Sequence, residues 1–142
     1  MLSIYFISIT DIEVGMKRKI IFKQMGARRR RMYIVKGNLA VGVHIYCYKH
    51  MTDCIEYWPG EGLKYVVYHE IGHALLNHIG ASYSDKIQIG REKQAWLKAS
   101  LLIEDAEIDD FLATANRSYM SYGAKSPITA EEIRKYRKEQ GK

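Results

Sequence analysis

Leu63-Lys64-Tyr65-Val66-Val67-Tyr68-His69-Glu70-Ile71-Gly72-His73-Ala74-Leu75-Leu76-Asn77-His78-Ile79-Gly80 decides how this chain is read. Val66, Val67, Ile71, Ala74, Leu75 and Leu76 spread around a helical projection instead of keeping to one stripe, which predicts a buried central helix. Its expected span is about Glu61 to Ile79, with Gly80 as the C-cap. Successive residues advance ~100° around a helix, so His69 and His73 project from one face a turn apart and reach a common point. Glu70 lies ~100° from His69, beside that point and not on it.

His69-Glu70-Ile71-Gly72-His73 spells H-E-x-x-H, the pattern in which two helical imidazoles bind zinc and the glutamate acts as a base toward a water on the ion. Five letters also coincide by chance, and a core helix whose neutral histidines are hydrogen-bonded is the plain alternative. The apolar surroundings favour the metal, because polar groups on a buried helix are costly unless something satisfies them.

A catalytic zinc takes three protein ligands and keeps a fourth position open. Among the five histidines of the chain, only His78 follows His73; nine residues past His69, it lies ~180° around and faces away unless the helix has already broken. The longer H-E-x-x-H-x-x-G-x-x-H pattern is missed at Leu76 and Ile79. Cys47 and Cys54 both precede the motif, which leaves a downstream carboxylate. Leu97, Leu101, Leu102, Ile108 and Leu112 recur at helical spacing within Lys93 to Ala115, and Asp105 falls inside that stripe. A buried, unpaired carboxylate there is expensive and a cation offsets it, so Asp105 is the expected third ligand. Glu104 sits at the stripe margin as the alternative, and Asp109, one turn on, is placed to bond a ligand histidine's second nitrogen. The competing reading makes Glu104, Asp105, Glu107, Asp109 and Asp110 a solvated acidic face.

With Asp105-Ala106-Glu107-Ile108-Asp109-Asp110-Phe111 following it, the motif resembles the gluzincin and aspzincin-like branch of zinc metallopeptidases, especially the small single-domain minigluzincins. It is also similar to the metallopeptidase-like domains found beside von Willebrand type A domains, where an aspartate holds the ligand position. The resemblance covers roughly residues 50–115. It implies an α+β zincin-like domain, with a short, mostly antiparallel sheet packed on the motif helix and a second helix bearing the acidic ligand. It further implies Zn²⁺ held by His69, His73 and Asp105, Glu70 as the catalytic base, and a peptide or protein substrate. Tyr65, Tyr68, Tyr119 and Tyr122 are equal candidates to assist the oxyanion.

Upstream, Met32 to Val35 and Leu39 to Tyr48 are strand-like around a Lys36-Gly37-Asn38 turn, Asp53 to Trp58 reads as a further strand, and Ile4 to Ile9 and Lys19 to Phe22 complete the expected sheet. Ile55 to Tyr57, or the hairpin before it, is the candidate edge for an extended substrate. Thr129 with Glu132 forms a capping box that starts a short, exposed C-terminal helix after a linker at 123–126. The expected organisation is one domain over residues 1–123 with a basic helical tail, 124–142, belonging to it.

The 142 residues, 47% of them hydrophobic, suffice for one core, and no stretch reads as a signal peptide or a membrane span, so the expected location is cytoplasmic. Two cysteines seven apart fit no disulfide framework and no C-x-x-C zinc pair. The net charge of +6 concentrates in Arg28-Arg29-Arg30-Arg31 and in the tail. Such a run can contact nucleic acid, although no recognition motif accompanies it and a solvated loop is the commoner outcome. A metallopeptidase-like binding or regulatory protein is the alternative function; the retained Glu70 favours the enzyme, since a structural zinc site needs no base.

Overall fold

The computed structural model describes residues 19–24, 42–47, 52–57, 63–78 and 85–142. Strands β1 (Lys19–Gln24), β2 (Gly42–Cys47) and β3 (Thr52–Tyr57) form a sheet in the order β1-β3-β2. β1 is parallel to β3, with Ile21 opposite Cys54, and β2 is antiparallel to it, with Ile45 opposite the same residue. The class is mixed helix and sheet, as expected. The mostly antiparallel sheet is corrected to one pair of each kind, because the direction of β1 is set by a long connection that local alternation does not encode. The expected strand at 4–9, the turn at 36–38 and Arg28 to Arg31 lie outside the described residues.

Period-two alternation decides which sheet face is buried. Asp53, Ile55 and Tyr57 are fully buried while Cys54 and Glu56 between them are only partly covered. Ile20 and Phe22, in register with Asp53 and Ile55, share that face, which packs on Val67, Ile71 and Leu75 of helix α1 (Leu63–Leu75).

α1 ends a turn earlier than Gly80, in a Schellman turn. Asn77 takes the left-handed conformation at φ 55°, its N–H bonds the Ala74 carbonyl, and the His78 N–H bonds the His73 carbonyl at 3.1 Å.

The single helix expected over Lys93 to Ala115 is instead two. α2 (Asp85–Ala99) begins well before Lys93, and α3 (Ile108–Ser121) follows two 3₁₀ turns, Ser100–Leu102 and Asp105–Glu107. Between the turns Ile103 and Glu104 are extended, with ψ 159° at each, so the helical phase is lost before Asp105. Trp96, Ala99, Ile103, Ile108, Phe111 and Ala115 nevertheless bury together with Ile128 and Ile133. Each fully buried large side chain contributes about 1.5–3 kcal/mol.

α4 (Ala130–Glu139) starts where the sequence predicts: the Thr129 hydroxyl accepts from the Glu132 N–H at 3.1 Å and the Glu132 carboxylate accepts from the Thr129 N–H. It is not an exposed tail, since Ile133 and Arg137 are buried. Among the described residues no helix is long and apolar enough to cross a membrane.

Candidate metal centre

The centre forms where α1 and α2 come closest. Gly72 lies at the crossing: a Cβ there would stand 2.3 Å from the Ala95 carbonyl oxygen, so only glycine allows the approach. Ala95 lies one turn after Glu92, and the close approach brings the Glu92 carboxylate onto His69 and His73. Glu92 Oε2 is 2.7 Å from His69 Nε2 and 3.3 Å from His73 Nε2, and the two imidazole nitrogens are 3.1 Å apart. His69 and Glu92 are buried and His73 is partly covered.

These three side chains can hold a metal ion. A tetrahedral zinc with bonds of ~2.0–2.1 Å separates its ligand atoms by about 3.3 Å. Two of the three separations already lie near that value, and the third has to open by about half an ångström. Two neutral imidazoles and one carboxylate are also a donor set that catalytic zinc uses.

Burial holds the His69 ring down to about 4, against the pull of Glu92, so it is the neutral imidazole a metal requires. Burial alone would raise Glu92, but the two imidazoles beside it outweigh that and keep the carboxyl well below the ordinary range. The His69 ring stacks on Trp96, one turn after Glu92 on α2, with centroids 4.1 Å apart and planes 19° from parallel. Among the described residues its buried Nδ1 has no hydrogen-bond partner, so packing orients this ring.

Glu70 stands beside the cluster, its Oε1 3.9 Å from His69 Nε2, and is buried. Burial, and then the charge of Glu92, push its carboxyl well above the usual value; the backbone N–H of His44 donates to it and works the other way. Two adjacent buried carboxyls repel, and a divalent cation between them relieves both burial and repulsion. His44 belongs to β2, an edge strand among the described residues, and its ring is held by the fully buried Asp53 at 2.6 Å. The sheet edge beside the centre is thus β2; Ile55 to Tyr57 lie on the central strand, paired on both sides, and are corrected as an edge.

The structure does not bring Asp105 to the histidines. Its side chain is 92% exposed and accepts from Arg137 Nη1 at 2.6 Å. The pattern that singled it out assumed one continuous helix, and the extended residues 103–104 break that phase. Glu104 is exposed as well, its backbone N–H donating to Glu107 Oε2 at 2.8 Å. Asp109 is exposed, and no hydrogen bond from it to a histidine is present among the described residues. Glu92 is the residue the reading missed, and the signal was present: Ile89, Glu92, Trp96 and Ala99 share one helical stripe, a carboxylate among apolar neighbours like that which drew attention to Asp105. Starting the helix at Lys93 left Glu92 just outside it.

Two further side chains complete the surroundings. Because α1 ends at Leu75, His78 turns back instead of facing away, and its Nδ1 lies 2.9 Å from His73 Nδ1. Burial and the neighbouring His73 hold His78 below its ordinary value. Tyr122, which caps α3, is 46% exposed as a residue but turns its hydroxyl inward to donate to Glu92, and loss of solvent around that hydroxyl together with the charges of Glu92 and Glu70 pushes it up to about 12. The other tyrosines have other roles: Tyr65 packs edge-on against Phe111 and bonds Glu107, Tyr68 meets Tyr65, and Tyr119 is buried in the helical core.

Comparison with protein-family models, with curated proteins and with solved structures finds no match for this chain.

Proposed function

We propose that this protein is a zinc-dependent peptidase whose metal is held by His69, His73 and Glu92. The observation that carries the reading is the convergence of these three side chains on one point, with the Glu70 carboxyl beside it and not in it. When bound, zinc supplies a Lewis acid for the scissile carbonyl and brings the acidity of a water near neutral pH. Glu70 takes the proton of the attacking water at a carboxylate oxygen and passes it to the leaving amine. The His44 N–H keeps that carboxylate directed into the site. Tyr122, with its proton retained far above neutral pH, turns its hydroxyl from Glu92 to the carbonyl oxygen and donates there as charge develops. Among the described residues β2 is an edge strand, to which an extended peptide would add by strand pairing.

Glu70→Gln tests the reading. An amide cannot accept the proton, so this variant is expected to keep the fold and a full equivalent of zinc while losing cleavage of an unstructured-peptide library. Equal cleavage by both proteins would remove Glu70 as the base, and an unaltered protein that takes up no zinc would remove the metal. Tyr122→Phe is expected to retain zinc and lower turnover by about 10²–10³-fold, read as kcat with little change in KM.

A further inference from the structure

We infer that His78 and Gln94 form a hydrogen-bond relay that sets the tautomer of His73 and so presents its Nε2 lone pair to the metal. The inference rests on the metal centre proposed above. His73 turns Nε2 toward His69 and Glu92 and its other nitrogen toward His78, with the two Nδ1 atoms 2.9 Å apart. On the far side of the His78 ring, Nε2 is 3.1 Å from Gln94 Oε1. A neutral imidazole carries one N–H, so the row of contacts has only two self-consistent polarities.

In one polarity, Gln94 Oε1 accepts from His78 Nε2–H, His78 Nδ1 accepts from His73 Nδ1–H, and His73 Nε2 is left as a bare donor atom. In the other, the Gln94 amide is turned to donate, every hydrogen bond reverses, and His73 Nε2 carries the proton and cannot ligate. The carbonyl oxygen of Gln94 faces the ring, which corresponds to the ligating polarity. Ligand histidines ordinarily give their second N–H to a carboxylate, a backbone carbonyl or water. Here a second imidazole takes that place, brought there by the left-handed Asn77 that ends α1. Among the described residues His69 Nδ1 has no such partner and the ring is oriented by Trp96, so the relay acts on His73. His78 and Gln94 are positioning residues: both act through His73.

Neither side chain belongs to a buried core cluster, and Gln94 is exposed, so each can be changed without opening the interior. Zinc affinity is measured by competition with a chromogenic chelator for the unaltered protein, His78→Ala and Gln94→Glu. Nitrogen-15 spectra of the histidine rings are recorded on the zinc-loaded unaltered protein. His78→Ala is expected to bind zinc about 10- to 100-fold more weakly. Gln94→Glu, which can only accept, is expected to keep the affinity, and His78 should show the Nε2–H tautomer with a bare Nδ1. An affinity unchanged in His78→Ala, a marked loss in Gln94→Glu, or a His78 protonated at Nδ1 overturns the relay while leaving the metal centre standing. No zinc uptake by the unaltered protein overturns the metal centre, and the relay with it.

Discussion

Glu92 and Asp105 are both carboxylates placed among apolar neighbours by the sequence, yet their environments in the structure are opposite. Glu92 is 4% exposed and lies against two imidazoles, whereas the Asp105 side chain lies in solvent and pairs with Arg137. The contrast yields a paired prediction. Glu92→Ala removes one of the three proposed ligands and is expected to weaken zinc binding by ~100-fold or more, since even outer partners of ligands are worth 10–100-fold. Asp105→Ala is expected to leave zinc affinity unaltered and to change stability by at most ~1 kcal/mol, the range of exposed ion pairs. Chelator competition and thermal unfolding check both, and the reverse ranking would restore Asp105 as the ligand. The meeting of His69 and His73, with Glu70 beside them, was legible because their spacing lies within one uninterrupted helix. The arrival of Glu92 was not, because it depends on where a second helix begins and on how two helices cross.

The elements themselves were unevenly legible, for reasons of range. β3 and the start of α4 follow from local signals, alternation in one case and the Thr129–Glu132 box in the other. The break after Ala99 was hidden because Leu101 and Leu102 continue the apolar period through a 3₁₀ turn, and nothing nearby marks Ile103 as extended. The end of α1 was placed at Gly80 on glycine's preference for the left-handed conformation, but Asn77 adopts it first. The α1–α2 crossing gives the prediction at this scale. In an exposed helix Gly72→Ala would stabilise by ~1 kcal/mol through propensity. Here the added Cβ meets backbone at Ala95, which cannot rotate away as a side chain does, and overpacking of this kind costs about 1–3 kcal/mol. The helices must separate, which also draws Glu92 from the histidines. The variant is expected to melt at a lower temperature and to bind zinc more weakly; a melting temperature above that of the unaltered protein would mean the crossing is looser than described.

At the scale of the whole molecule, residues 124–142 decide whether this is a domain with an appended tail or a fold that needs its last helix. Several independent contacts tie α4 and the segment before it to the site-bearing helices. Ile133 is fully buried in the cluster that contains Trp96 and Phe111. Asn116 clamps the Ile128 backbone from both sides, donating to its carbonyl at 2.9 Å and accepting from its N–H at 2.7 Å. Arg137 donates to the Ile103 carbonyl at 2.8 Å as well as to Asp105, bracing the link between α2 and α3. Lys93, next to Glu92 in sequence, pairs with Glu132 at 2.6 Å. The same cluster backs Trp96, on which His69 stacks, so support reaches the centre from the far end of the chain. Ile133→Ala is expected to cost about 2–5 kcal/mol, the range for truncating a buried large aliphatic side chain. Its zinc affinity per folded molecule should remain, because Ile133 packs in the helical cluster and is not one of His69, His73 and Glu92. Ending the chain at Gly123 removes the whole set of contacts and uncovers Phe111 and Trp96 together, and should abolish the cooperative melting transition. A chain ending at Gly123 that still melts cooperatively within a few degrees of the full protein would show that α4 is an accessory and that the core is complete without it.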